Sequence, residues 1–363
     1  MLVRGLTYAT LLAVFLMILL GGLVHGTGSS LACPDWPLCY GEAFPKMEGG
    51  VLFEHSHRLL GTLIGTLTIA LAAVLFRQFA PRAADRRMYW GAVALIALQG
   101  LSLGVAISAQ QHAPLVLTAA ATLALAIVFG RLVRSPNALA TWGLVLLETV
   151  VIQGLLGGLT VMWRLPDLVS SAHLGLSMLM FTLLVALAFR LTRGDDGEGS
   201  PIMAQKPLWI AASVLFVQIV LGAFVKHTGG SYACGTDLVL CNGGMPMGGP
   251  AHVHMTHRVL AFVAAGLIGW STVLASRAAK KHGRPLVRGF VIATHTALLV
   301  QLVLGFATVY SLVAIPLAMA HMLGGAVLLA CMTCITLGVG PLGAPRRSAP
   351  NADAATLHGA ALG

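Results

Sequence analysis

The chain alternates long apolar runs with short polar breaks. The runs recur about ten times, near 7–27, 55–76, 88–109, 114–134, 139–163, 167–190, 208–227, 254–276, 287–310 and 314–337. A helix needs roughly 20 mostly apolar residues to cross the hydrocarbon of a bilayer. A backbone without water partners must also close its hydrogen bonds within the helix. The pattern therefore predicts an all-α membrane protein with about ten transmembrane helices. Composition agrees, since 57% of the 363 residues are hydrophobic and only 9% are charged, which excludes an ordinary water-soluble domain. Residues 7–24 resemble a signal peptide in hydrophobicity. No small-residue cleavage site follows, and the next segment is matched later in the chain, so they are read as the first span.

A net charge of +10 raises the question of a nucleic-acid partner, and the distribution of the charges answers it. With the N-terminus inside, 17 of the 22 Lys and Arg residues fall on one side of the membrane: Arg4, the Arg77–Arg87 loop, Arg131, Arg134, the Arg190–Lys206 linker, the Arg277–Arg288 loop, Arg346 and Arg347. That segregation follows the positive-inside rule and predicts both termini in the cytoplasm of a plasma-membrane protein, with no nucleic-acid role. Cys33, Cys39, Cys234 and Cys241 then lie in two outer loops, where disulfides are permitted. Cys331 and Cys334, inside the last span, read as small packing residues.

The chain repeats itself. Val24–Cys33 aligns with Val225–Cys234 without a gap and with six identities in ten, and Gln153–His173 aligns with Gln301–His321 at a constant offset of 148. Each half has one helix, an outer loop with two cysteines, a helix opening on His-Arg, and later a hairpin whose second helix carries Ala-His. The halves differ in length: 116 positions separate His57 from His173, and 64 separate His257 from His321. The excess amounts to one helical hairpin, placed at 88–134, where Gln99 and Gly104 faintly echo the Gln–Gly pattern. The expected organisation is an N-terminal unit at 1–193, a linker at 194–207 with Gly, Asp and Ser, a C-terminal unit at 208–340 and a disordered tail at 341–363.

Ionisable residues inside a bilayer are costly, so they are functional candidates by default. His57, His173, His257 and His321 all fall within about two turns of the outer ends of their spans, so each half offers two imidazoles at similar depth. A single intramembrane histidine usually packs or hydrogen-bonds. The same pair occurring twice points instead to iron ligation, with a flat heme between facing helices. Zinc competes as a metal, but no local set of four N or S ligands is present. Arg58 and Arg258 directly follow their histidines and are candidate partners for anionic heme propionates, or else interfacial anchors. Glu54 precedes His57 by three residues and shares its face if the helix reaches that far. It is then either acid/base machinery or a partner of the helix dipole. The corresponding residue before His257 is His254. His25, His55, His112, His227, His252 and His295 read as interface residues or neighbours of the ligands. The cysteine pairs are either disulfide lids over the slots or thiols exchanging with an outer redox protein.

Taken in order, Thr27-Gly-Ser-Ser-Leu-Ala-Cys-Pro-Asp-Trp-Pro-Leu-Cys39, Glu54-His-Ser-His-Arg58, Ala172-His-Leu-Gly175, the Cys234–Cys241 loop, Thr256-His-Arg258 and Ala320-His321 resemble the heme A synthase family from about residue 10 to 337. The resemblance implies two pseudo-twofold related four-helix bundles plus, here, an extra hairpin. It implies that His57 and His173 ligate the substrate heme O, that Glu54 is the essential carboxylate, and that His257 and His321 ligate a heme b. The implied reaction oxidises the C8 methyl of heme O through a hydroxymethyl stage to a formyl group, giving heme A for terminal oxidases. The implied partners are a heme O synthase upstream and an electron donor that the sequence does not identify; the oligomeric state is left open, with a homo-oligomer as one candidate.

Other classes make different demands. A bis-heme cytochrome for quinol-linked electron transfer would hold two permanent hemes and would not need Glu54 in one half against His254 in the other. A transporter, prompted by the repeat, would show broken helices at mid-membrane. Farnesyl transfer to heme would need Asp-rich magnesium–diphosphate motifs, and the chain has none.

Overall fold

The computed structural model describes residues 1–79, 83–109, 113–132, 138–193, 205–241, 248–281 and 283–339. Most of the linker, the tail and His112 lie outside them. Ten α-helices follow one another: α1 (Leu2–Gly26), α2 (Gly49–Phe79), α3 (Ala83–Ala109), α4 (Ala113–Leu132), α5 (Ala138–Met162), α6 (Asp167–Arg193), α7 (Gln205–His227), α8 (Pro250–Lys281), α9 (Pro285–Tyr310) and α10 (Ile315–Val339). Among the described residues, nine are long and apolar enough to cross a membrane. The tenth, α4, has 20 residues and so measures about 30 Å, the thickness of the hydrocarbon layer. The only strand-like pairing among the described residues is the isolated Cys39–Glu42 bridge.

Helices α1, α2, α5 and α6 pack in a ring, and α7, α8, α9 and α10 pack in a second ring. The rings meet where α6 lies against α7 and α10, and where α1 lies against α10. Exchanging the two halves leaves this set of contacts unchanged, as a pseudo-twofold axis requires. The most apolar window of α10 is 67% buried and that of α6 is 50%, against 11% for α9, so α6 and α10 form the centre and α9 faces lipid. Small residues permit the close approaches. A side chain at Gly26 would meet Ile315 across the α1–α10 contact, and one at Gly175 would meet Val220 across the equivalent α6–α7 contact.

The repeat is visible in the backbone as well. The α5–α6 turn places Arg164 and Leu165 in the left-handed region, with the Leu165 N–H donating to the Thr160 carbonyl at 2.7 Å. The α9–α10 turn does the same with Leu312, Val313 and Thr308 at 2.8 Å. Two non-glycine residues rarely share that conformation, so its recurrence 148 residues later marks one inherited turn.

The extra hairpin, α3–α4, stands outside the first ring and is applied to α5 through α3. Tyr89 stacks on Phe76 at 3.7 Å, and its hydroxyl donates to the Ala72 carbonyl. Gln99 is buried, and with its amide nitrogen turned to Glu148 it donates to both carboxylate oxygens, at 2.8 and 3.1 Å, while accepting from Thr122. The faint Gln–Gly echo in α3 thus belongs to a polar clamp that fixes the hairpin to α5.

Candidate functional site

All four repeated histidines lie near the end of the rings that carries the disulfide loops, within about two turns of their helix starts. His57 comes from α2, His173 from α6, His257 from α8 and His321 from α10. The rings of His57 and His173 stand 6.5 Å apart, centroid to centroid, at 61°. His257 and His321 lie within electrostatic reach of each other in the second ring. Each imidazole backs onto a glycine of a neighbouring helix. A Cβ on Gly21 would lie 3.1 Å from Cε1 of His57, and one on Gly157 would lie 3.2 Å from Cε1 of His173. The corresponding distances are 2.9 Å for Gly222 and His257, and 3.1 Å for Gly305 and His321. Gly21 and Gly222 are repeat equivalents, as are Gly157 and Gly305. The fourfold recurrence identifies a cradle for an imidazole edge, and sequence reasoning missed it although Gly157 and Gly305 lay within an aligned segment.

One helical turn before three of these glycines stands a glutamine. Gln153 donates to the His173 carbonyl at 3.0 Å, Gln301 to the His321 carbonyl at 2.9 Å, and Gln218 to the His257 carbonyl at 2.9 Å. The Gln218 amide nitrogen also lies 2.9 Å from Nδ1 of His257. The fourth equivalent position, in α1, is Met17. Its methyl packs near Gly61, one turn beyond His57, so His57 lacks the amide that steadies the other three.

The two mouths differ more. In the first half α2 begins at Gly49, so Glu54 is helical and shares a face with His57. Glu54 accepts the Cys33 N–H at 2.8 Å through one oxygen and the Arg58 guanidinium at 2.7 Å through the other. Arg58 further donates to the carbonyls of Asp35 (2.7 Å), Cys33 (3.2 Å) and Leu38. Cys33 and Cys39 form a disulfide. Asp35 accepts the N–H groups of Tyr40 and Gly41. Its partial desolvation is outweighed by those N–H groups and by Arg58, which hold its carboxyl below the ordinary range. Trp36 lies on α5, where a Cβ on Gly158 would come within 2.8 Å of its ring.

In the second half Cys234 and Cys241 form the matching disulfide, but His254 replaces the carboxylate, with the Gly230 backbone beside its ring. The three guanidinium nitrogens of Arg258 are buried without a hydrogen-bond partner among the described residues, with Asp237 in electrostatic reach. Where α5 has Gly158, α9 has Phe306.

Between the halves, His25 of α1 and His227 of α7 meet with ring centroids 4.5 Å apart. His55 contacts the Ala43 carbonyl, and His295 contacts Thr272 and the Val291 carbonyl. Cys33, Cys39 and His55 cluster tightly, but sulfurs joined in a disulfide are not thiolate ligands.

The fold and the site define a class: an internally duplicated, multi-span membrane protein with a close imidazole pair in each of two four-helix rings. The chain belongs to the cytochrome oxidase assembly protein family (COX15-CtaA), whose model matches residues 4–127 and 112–333. The two matches overlap at residues 112–127, within the sequence of the extra hairpin. Among curated relatives, the chain is 28% identical over 321 residues to a heme A synthase of Bacillus pumilus, covering 85% of this chain and 86% of that one. It is 26% identical over 329 residues to that of Bacillus licheniformis, covering 88% and 89%. It is 25% identical over 277 residues to that of Symbiobacterium thermophilum, covering 73% and 72%.

The residues present fit a heme. Among the described residues, Nδ1 of His57, His173 and His321 is buried without a hydrogen-bond partner, each ring has a glycine behind it, and neutral imidazole is a good iron ligand.

Proposed function

We propose that the chain is a heme A synthase whose first slot, between His57 and His173, takes heme O and whose second, between His257 and His321, keeps a heme b. The observation that carries this reading is the pair of glycine-backed imidazole slots with chemically different mouths. Two permanent electron carriers would not require Glu54 in one and His254 in the other. A heme b in the second slot would supply one-electron redox chemistry. Gln218 and Gln301 steady its histidines, and Arg258 offers a buried cation to its carboxylates. In the first slot His57 and His173 orient the substrate, and Glu54 is the carboxylate assigned to the conversion. Arg58 is already engaged by Glu54 and the loop carbonyls, so it acts on that mouth through the loop. A heme O synthase supplies the substrate and an external donor supplies electrons. Both termini face the cytoplasm of the plasma membrane, an orientation supported by the segregation of Lys and Arg.

Co-expression with a source of heme O, followed by chromatography and mass analysis of extracted hemes, tests the activity. Heme A in the extract is the expected result, and heme B and heme O alone would overturn the reading. For orientation, an impermeant thiol reagent added outside should label Lys46→Cys and not Arg277→Cys, and the reverse would invert the topology.

A further inference from the structure

The two outer loops are both closed by disulfides, and the first is fastened to its ring of helices by side chains on both flanks of His57. Glu54 and Arg58 flank His57 on α2, at three residues before and one residue after it. Between them they hold the Cys33 N–H and the carbonyls of Cys33, Asp35 and Leu38. Asp35 closes the far side of the loop on the Tyr40 and Gly41 N–H groups. The pair is shielded, with side-chain exposures of 5% for Glu54 and 13% for Arg58, so it is not a loose surface contact. From this anchorage the loop extends to α5. There the half-buried Trp36 ring covers Gly158, the residue next to Gly157, which backs His173. One seven-residue loop therefore touches residues flanking His57 and, on α5, the residue next to the glycine that backs His173.

The second half cannot do this. Its loop carries no aromatic residue between Cys234 and Cys241, and the position equivalent to Gly158 is Phe306, which is 41% exposed and leaves no bare backbone for a ring to cover. Glycine at 158 is required for the contact, because a Cβ there would come within 2.8–3.1 Å of three atoms of the indole.

We propose that Trp36 is a substrate-retaining residue: the Cys33–Cys39 loop is a strap fixed by Glu54 and Arg58, and it holds the indole as the outer wall of the first slot beside His173. This rests on the reading that the first slot takes heme O. A large rigid aromatic surface suits a flat macrocycle, since it adds contact area at little conformational cost. The second slot, without such a wall, keeps its ligand by other means.

The test uses the purified full chain and the variants Trp36→Ala, Trp36→Phe, Gly158→Val and Glu54→Gln. Heme O is loaded, and its transfer to an excess of a heme-accepting protein is timed, with the heme of the second slot as internal control. Hydrogen exchange of residues 33–41 is followed separately in heme-free protein. Trp36→Ala and Gly158→Val should speed heme O release by about tenfold or more, equivalent to the loss of one good aromatic contact. Trp36→Phe should restore most of the retention, and release from the second slot should not change. In heme-free protein, loop exchange should rise in Glu54→Gln and stay near wild type in Trp36→Ala, separating the anchor from the wall. Wild-type release from Trp36→Ala, or equal loosening of both slots, would overturn the strap while leaving the enzyme reading intact. A wild-type chain that makes no heme A when supplied with heme O would overturn the reading beneath it.

Discussion

The two halves of the molecule place four histidines in the same way and then surround them differently. Inside the rings the equivalences are close: glycine behind every imidazole, a repeated left-handed turn before α6 and α10, and a place about two turns from the helix start for each histidine. At the mouths the equivalences stop. Glu54 corresponds to His254, Gly158 to Phe306, and an Arg58 spent on its loop to an Arg258 whose nitrogens have no hydrogen-bond partner among the described residues. The scaffold of a duplicated protein is thus constrained by packing, where a single added methyl meets an imidazole. The rims can diverge, because loop residues answer to fewer neighbours.

The sharpest way to break the comparison is to remove one ligand from the second slot. His257→Ala or His321→Ala should abolish the low-spin heme b spectrum of the purified protein and, with it, heme A output, since an iron deprived of an axial imidazole changes spin state or leaves. An unchanged heme b signal in both variants would reverse the assignment of the halves.

Next in size is Glu54→Gln. Removing one member of a shielded ion pair costs about 3–5 kcal/mol, mostly from the charge left behind. Here that charge is Arg58, which keeps three loop carbonyls, so the lower end of the range applies. Conversion of heme O should collapse while heme b stays near wild type, as measured by redox spectroscopy beside extracted-heme chromatography. Near-normal heme A would remove Glu54 from the reaction.

Much of this architecture was legible before any coordinates. The ten apolar runs became ten helices with ends shifted by a few residues, the largest shift being the start of α2 at Gly49 rather than near 55. That shift matters, because it is what puts Glu54 on the face of His57. Glycines at 49–50 and the polar run at 54–58 hid the helix start, since hydropathy marks where a span enters lipid and not where helical hydrogen bonding begins. Both cysteine pairs are disulfides, and the compartment argued from charge permits them. The glycine cradles were not legible. Gly21 is one of several small residues in an apolar stretch, and only three-dimensional packing distinguishes it from Gly22, which faces Met322 of the other ring instead. The destination of Arg58 was equally hidden, because its acceptors are backbone carbonyls, which every sequence supplies.

A smaller effect is expected from the cradles themselves. Gly222→Ala brings a methyl to 2.9 Å of His257, and Gly157→Ala to 3.2 Å of His173, so the first should be the more damaging. Overpacking of this kind costs about 1–3 kcal/mol. The readout is heme stoichiometry per slot, and equal stoichiometry in both variants and wild type would show that the imidazoles have room to spare.

The finest difference between the halves is Gln218 against Met17, and exchanging them asks whether the histidines need equal restraint. Gln218 holds the His257 carbonyl and lies against its ring nitrogen, whereas nothing comparable reaches His57 from position 17. A net hydrogen bond contributes about 0.5–1.5 kcal/mol. Gln218→Met should therefore weaken heme retention in the second slot by no more than about tenfold, and broaden its low-spin signal as His257 gains freedom. Met17→Gln should act in the opposite sense on the first slot. A steadied His57 should hold heme O longer, and turnover should fall if product release depends on that freedom. The pair of variants is informative because both substitutions are close in volume, so packing changes little and the amide is the main variable. Slower release from Met17→Gln together with faster release from Gln218→Met would show that one side chain helps set which slot exchanges its heme. Unaltered release from both would confine the asymmetry to the mouths.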